Sequence, residues 1–197
     1  MSVATVELFF GILAVVAFAA VVGVNALRAL ARVNRSARPA YGSVARAIAP
    51  NALSIAWFVA FLAIAGSLYF SEVAGFEPCR LCWYQRVAMY PLVVLLAIAS
   101  ARRERAGAIY AGALAAIGAV IAAYHVALEW FPSLDSGACD PNNPCTLIWF
   151  RVFGFISLPT LALAAFLLIL TVLSIRPPLD HDAEVDPETD PLPERNP

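Results

Sequence analysis

Four cysteines stand in two close pairs, Cys79/Cys82 in E-P-C-R-L-C-W-Y-Q-R and Cys139/Cys145 in A-C-D-P-N-N-P-C. An even number of cysteines outside a reducing compartment suggests disulfides, and three uses compete for them. They could staple loops, give four thiolates to zinc, or exchange disulfides with other thiols. A C-x-x-C disulfide closes so small a ring that it adds little stability, which weakens stapling. Zinc would need all four thiols reduced. Redox exchange fits the spacing better. A pair at a helix start gains a depressed thiol pKa, because unpaired backbone N–H groups favour the thiolate, and Cys82 is placed to receive that field. Cys79, Cys82, Cys139 and Cys145 are therefore the expected redox residues, and no metal is expected.

Two polar neighbours extend this chemistry. On a helix, Cys82 and Arg86 are i and i+4 and share a face, with Arg86 about 6 Å deeper. A guanidinium there stabilises a thiolate and can donate to a quinone carbonyl; the plainer use is a snorkelling boundary residue. His125 interrupts an apolar run in A-Y-H-V-A-L-E-W. Ionisable groups inside such runs face the bundle interior and mark sites, although an i, i+4 ion pair with Glu129 is the plainer use. Arg86 and His125 at matching depth would suit a site where quinone carbonyls take up electrons and protons. The Asp, Pro and Asn residues around Cys139/Cys145 predict an exposed, turn-rich loop able to reach a soluble protein. Trp130, Phe131, Trp149 and Phe150 flank it and would rest at a membrane interface.

The elements that must hold these residues are membrane helices. Of 197 residues, 61% are hydrophobic and 14% charged, against roughly 45–50% and 25% in globular proteins; the mean hydropathy is +0.77. Such a chain cannot cover a soluble core. Apolar runs occupy residues 8–27, 47–71, 87–101, 106–128 and 152–175. Crossing a bilayer takes about 20 helical residues. The run 87–101 reaches that length only by extending back through 81–86, which puts Trp83, Tyr84 and Arg86 at a boundary.

All 13 basic residues are arginine. Nine of them (Arg28, Arg32, Arg35, Arg38, Arg46, Arg102, Arg103, Arg105 and Arg176) fall on one side if five spans alternate. The positive-inside bias then puts the N-terminus outside, the C-terminus in the cytoplasm and both cysteine loops outside the cytoplasm. Residues 8–27 have no basic stretch before them, so a retained anchor is expected rather than a signal peptide. The net charge of −1 hides an acidic, proline-rich tail at 177–197, expected to be disordered and cytoplasmic. No basic face with interleaved aromatics points to nucleic acid.

These residues resemble the DsbB-type disulfide bond formation proteins, closest to the BdbC branch of Gram-positive bacteria. The matching stretches are E-P-C-R-L-C-W-Y-Q-R-V-A-M-Y-P-L at 77–92, the His125 region running into F-P-S-L, the loop pair, and F-G-F-I-S-L-P-T-L-A-L-A-A-F at 153–166. The resemblance implies an all-α membrane protein with a four-helix transmembrane bundle, to which the apolar run at 8–27 adds one extra N-terminal transmembrane helix outside the family pattern. Its expected parts are the extra helix at 1–28, a basic cytoplasmic loop at 29–46, the redox bundle at 47–176 and the tail at 177–197. It further implies a protein-dithiol:quinone oxidoreductase of a bacterial plasma membrane. Cys139/Cys145 would accept electrons from a thioredoxin-fold disulfide oxidase (DsbA/BdbD-like). Cys79/Cys82 would pass them to the respiratory quinone pool, menaquinone or ubiquinone, beside Arg86 and His125. A non-catalytic membrane protein with two structural disulfides, and a quinone reductase of the vitamin-K-epoxide-reductase type, are the alternatives.

Overall fold

Six α-helices run through the computed structural model, which describes residues 2–104, 106–135, 137 and 139–175. Arg105, Arg176 and the acidic tail at 177–197 lie outside the described residues. The helices are α1 (Val3–Val33), α2 (Arg38–Ile48), α3 (Ala52–Leu68), α4 (Arg80–Arg102), α5 (Ala106–Trp130) and α6 (Leu158–Ser174). No β-strand is found among the described residues; two isolated bridges, Asp140 with Asn143 and Val152 with Ile156, pin turns. Val3–Val33, the stretch Arg35–Val73, Arg80–Arg102 and Ala106–Trp130 are each long and apolar enough to cross a membrane, and α6 is a shorter apolar helix of 17 residues. The chain is an all-α, multi-pass membrane protein.

Local chemistry sets the ends of these helices. Ser2 caps α1, its Oγ accepting from the Thr5 N–H at 3.3 Å. Asn34 stops α1 and its Oδ1 accepts from the Ser36 N–H at 3.0 Å, after which Pro39 opens α2, where a missing N–H costs nothing. The segment expected as a basic loop is thus largely helical. Helix α3 ends in a wide π-helical turn, Tyr69–Val73. Helix α4 begins at Arg80 and so takes in the boundary residues 81–86. Helix α6 starts later than its apolar run, because residues 152–156 form a turn in which Phe153 and Gly154 take φ of 54° and 80°. Hydrophobicity cannot register such a turn.

The main core joins α3, α4, α5 and α6 around Leu92, Leu96, Phe166 and Ile169. Helix α5 presents it with a stripe of small residues, Ala111, Ala115, Gly118 and Ala122. Small residues let membrane helices approach closely, where dispersion rather than the hydrophobic effect holds them. At Gly118 the Phe166 ring occupies the space a β-carbon would need. Helix α1 packs on α6 and α2. Gly118→Val should therefore lower stability by about 1–3 kcal/mol through overpacking, with recovery on adding Phe166→Leu. Thermal unfolding in detergent reads both; an unchanged Tm for the single variant would show that α5 and α6 do not meet this closely.

Candidate functional site

The outer ends of α4 and α5 carry the first cysteine pair. Cys79 is the N-cap of α4, in extended backbone, and its Sγ accepts from the Cys82 N–H at 3.4 Å. An N-cap side chain takes one of the orphan N–H groups that every helix start leaves over. The thiol that receives the helix-start N–H is thus Cys79, one turn before the Cys82 favoured on spacing, because the helix opens at Arg80. The two sulfurs are 2.9 Å apart as free thiols. The Cys79 thiol is pulled down to about 4, first by the Cys82 hydrogen bond, then by His125 and the Cys82 N–H, against the opposing effect of burial.

His125, on α5, is 2% exposed, and both its ring nitrogens are engaged. Gln85 Nε2 lies 3.0 Å from Nδ1. An amide nitrogen only donates, so Nδ1 accepts and Nε2 carries the proton. That Nε2 is 3.0 Å from the Cys145 carbonyl oxygen and 3.7 Å from Cys79 Sγ. The ring therefore bridges the two cysteine pairs. It does not pair with Glu129, which is buried and accepts a hydrogen bond from Ser157 Oγ.

Cys139 and Cys145 are joined by a disulfide with Cα atoms 5.7 Å apart, inside the usual range. The loop tip is exposed at Pro141 and Asn142, as its composition predicts. The sulfurs are not: Cys145 is 1% exposed and packs with Cys79, Leu81 and Leu128 in one apolar cluster. Asn143 Nδ2 donates to the Pro78 carbonyl at 3.3 Å and ties the loop to the segment before the first pair. A polar loop can bury its disulfide because the apolar ends of α4 and α5 lie beneath it.

Arg86 lies one turn into the bundle from Cys82 and is 8% exposed. Its Nε donates to Ser67 Oγ and its Nη2 to the Ser67 carbonyl, each at 3.0 Å. Its guanidinium also stands 5.2 Å from the Trp83 ring centre. These bonds use part of the five N–H donors of a guanidinium. A cavity of about 330 Å³ opens beside it, with Ser67, Glu77, Cys82, Gln85 and Arg86 among its polar lining and apolar residues over most of the rest. Cys82 and Arg86 thus face one space, as their i, i+4 relation predicts. His125 is not among the residues lining that cavity; it lines a smaller one with Cys79, Glu129 and Asn143. The sequence places it beside Arg86, whereas the fold turns its ring onto the thiols and the loop.

Cys79, Cys82 and His125 also bring three metal-ligand atoms within 4.8 Å of one another. The four-thiolate zinc site that spacing alone allows is not formed, since Cys139 and Cys145 are bonded to each other. Gln85 and Ser67 escaped the sequence reading. A glutamine inside a membrane helix was the available signal, because buried amides need partners; Ser67 gave none, being an ordinary residue of an apolar run.

Membrane helices holding two adjoining cysteine pairs, one free and one bonded, define a membrane-embedded thiol–disulfide protein. The family model of the disulfide bond formation protein DsbB matches residues 49–175. The chain belongs to the DsbB family of disulfide bond formation proteins. It is similar to a probable disulfide formation protein of Oceanobacillus iheyensis, 40% identical over 126 residues, 63% of this chain and 87% of the relative. Probable disulfide formation protein C of Bacillus cereus is 46% identical over 119 residues, 60% and 86% of the two chains. Disulfide bond formation protein C of Bacillus subtilis is 42% identical over 124 residues, 62% and 90%. No solved structure matches.

A thiol lowered to about 4 is already a thiolate at neutral pH. In the fully reduced protein, alkylation at Cys79, followed by peptide mass spectrometry, should change less than about threefold between pH 8 and pH 6. An ordinary thiol of pKa about 8.5 would slow about 80-fold over that range. A slowing of the larger size at Cys79 would refute the lowered value.

Proposed function

We propose that this protein is a membrane protein-dithiol:quinone oxidoreductase that reoxidises an extracytoplasmic thioredoxin-fold oxidase. The observation that carries the reading is the position of the first cysteine pair. It lies between a buried disulfide and a cavity whose polar end holds Cys82, Gln85 and Arg86. The match to the DsbB family favours it over a reductase of the vitamin-K-epoxide type.

The cavity suits a quinone. Its size falls at the lower end of the roughly 300–1,000 Å³ of small-molecule sites, and it combines apolar walls with a few convergent polar groups. A bound quinone supplies an acceptor for two electrons and two protons. Arg86, fixed by Ser67, has donors left for a carbonyl oxygen, and Cys82 stands on the same face one turn away. The partner's thiolate attacks the Cys139–Cys145 disulfide and leaves as a disulfide, with both loop sulfurs reduced. The loop thiols in turn attack the Cys79–Cys82 disulfide and recover their own bond. The Cys79/Cys82 dithiol closes again as two electrons and two protons pass to the acceptor. The net change is one partner dithiol to disulfide and one quinone to hydroquinone.

His125 serves the exchange between pairs. Its Nε2–H holds the Cys145 backbone next to Cys79, within reach of that thiolate. The arginine distribution supports an N-terminus and both loops outside the cytoplasm, in a bacterial plasma membrane.

Cys79→Ser and Cys139→Ser should each abolish reoxidation of a reduced thioredoxin-fold oxidase, followed by loss of quinone absorbance. Wild-type turnover by either variant would sink the relay. Arg86→Gln should raise the quinone KM by about 10–100-fold, the worth of a charge-assisted hydrogen bond, while leaving partner binding intact. In intact cells, a cysteine introduced as Ser2→Cys should react with a membrane-impermeant maleimide; labelling only after lysis would reverse the orientation.

A further inference from the structure

We propose that α1, the helix outside the family match, forms one wall of the acceptor cavity and selects quinones that carry an apolar tail. The proposal rests on the quinone reading above and says which part of the molecule sets the acceptor.

The family match begins at residue 49, beyond the end of α1. Yet Phe10, Leu13, Ala14 and Ala17 of α1 all line the cavity that reaches Arg86 and Cys82. They fall at helical spacing on one face, while Phe9, Ile12 and Val15 on the other are exposed. Polar contacts hold that face inward. Asn25 Nδ2 donates to Thr171 Oγ1 and Arg28 Nη1 to Ser174 Oγ, each at 3.1 Å. At the other end of α1, the Phe10 ring lies directly over Gly66 of α3.

Along this face the alanines leave room that larger side chains would close. Protein interiors are close-packed, with few voids larger than a water molecule. An apolar space of this size is therefore suited to an apolar occupant, since water needs two to four polar partners. Two lining residues, Val16 of α1 and Phe58 of α3, are 58% and 57% exposed and mark a mouth between these helices on the lipid-facing surface. The cavity so runs from a polar end at Cys82, Gln85 and Arg86 to an apolar mouth at the bilayer. A polar ring with a hydrocarbon tail has that shape and polarity; a small polar oxidant does not.

The test uses the full chain in nanodiscs and equilibrium binding, read by quenching of tryptophan fluorescence, since Trp149 lines the cavity. Menaquinone-4 is the tailed probe and menadione the tail-less one. Ala17→Leu narrows the wall. Val16→Phe blocks the mouth at an exposed position that does not threaten folding. Val15→Phe, on the lipid side, is the control. The expected result is at least about tenfold weaker menaquinone-4 binding for both cavity variants, with menadione within about twofold and no effect of the control. Equal losses for both probes, or no loss for either, would overturn the role of α1. Failure of the wild-type protein to bind either probe would overturn the quinone reading itself.

Discussion

Helix α4 opens at Arg80, with Cys79 as its cap, and that start places the residues α4 gives the site: Cys82, Gln85 and Arg86. A helix advances 100° and 1.5 Å per residue. Once Cys79 holds the first turn through the Cys82 N–H, Cys82 must lie one turn in and Arg86 one turn further on the same side. Gln85 is rotated toward α5, where it meets His125. A cap is a weak interaction by itself, worth about 1 kcal/mol. Here it also concentrates the positive end of the helix on one sulfur, so that a structural bond and a chemical one coincide.

Burial in lipid makes the remaining polar contacts compulsory. Arg86, Gln85, His125, Glu129 and Ser157 are each less than a tenth exposed, and an unpartnered polar group there costs several kcal/mol. Each finds its partner on another segment: Arg86 on α3, Gln85 on α5, His125 on the cysteine loop, Glu129 on the start of α6. The bonds that satisfy these groups also set the order of α3, α4, α5 and α6 around the thiols. Small residues along α5 let α4 and α6 come close to it, where Gln85 and Ser157 meet His125 and Glu129.

The second pair illustrates a balance between reach and protection. Its loop tip is exposed, yet its disulfide packs against Cys79 and Leu128. A disulfide held this way is shielded from stray thiols and stays next to the sulfurs with which it would exchange. A partner dithiol of the kind proposed above would have to lift or part the loop to reach it. The bonds from Asn143 and His125 are the ones such a partner would break first.

Much of this was legible in the residues themselves. Hydrophobic runs of helical length require a membrane bundle, since no soluble core could hide them. The C-x-x-C ahead of such a run, with Arg86 at i+4, already places a thiol and a guanidinium on one helix face, because helical geometry is local. Tertiary packing decided what depends on neighbours distant in the chain. It determined that α6 begins only after the turn at 152–156 and that Cys79 rather than Cys82 takes the helix-start N–H. It turned His125 toward the thiols and the loop rather than into the cavity of Arg86. It also brought α1 against α6, with Phe10 over Gly66 of α3, beside that cavity. These outcomes depend on which faces of separate helices meet, and hydrophobic periodicity marks a face as buried without naming what buries it.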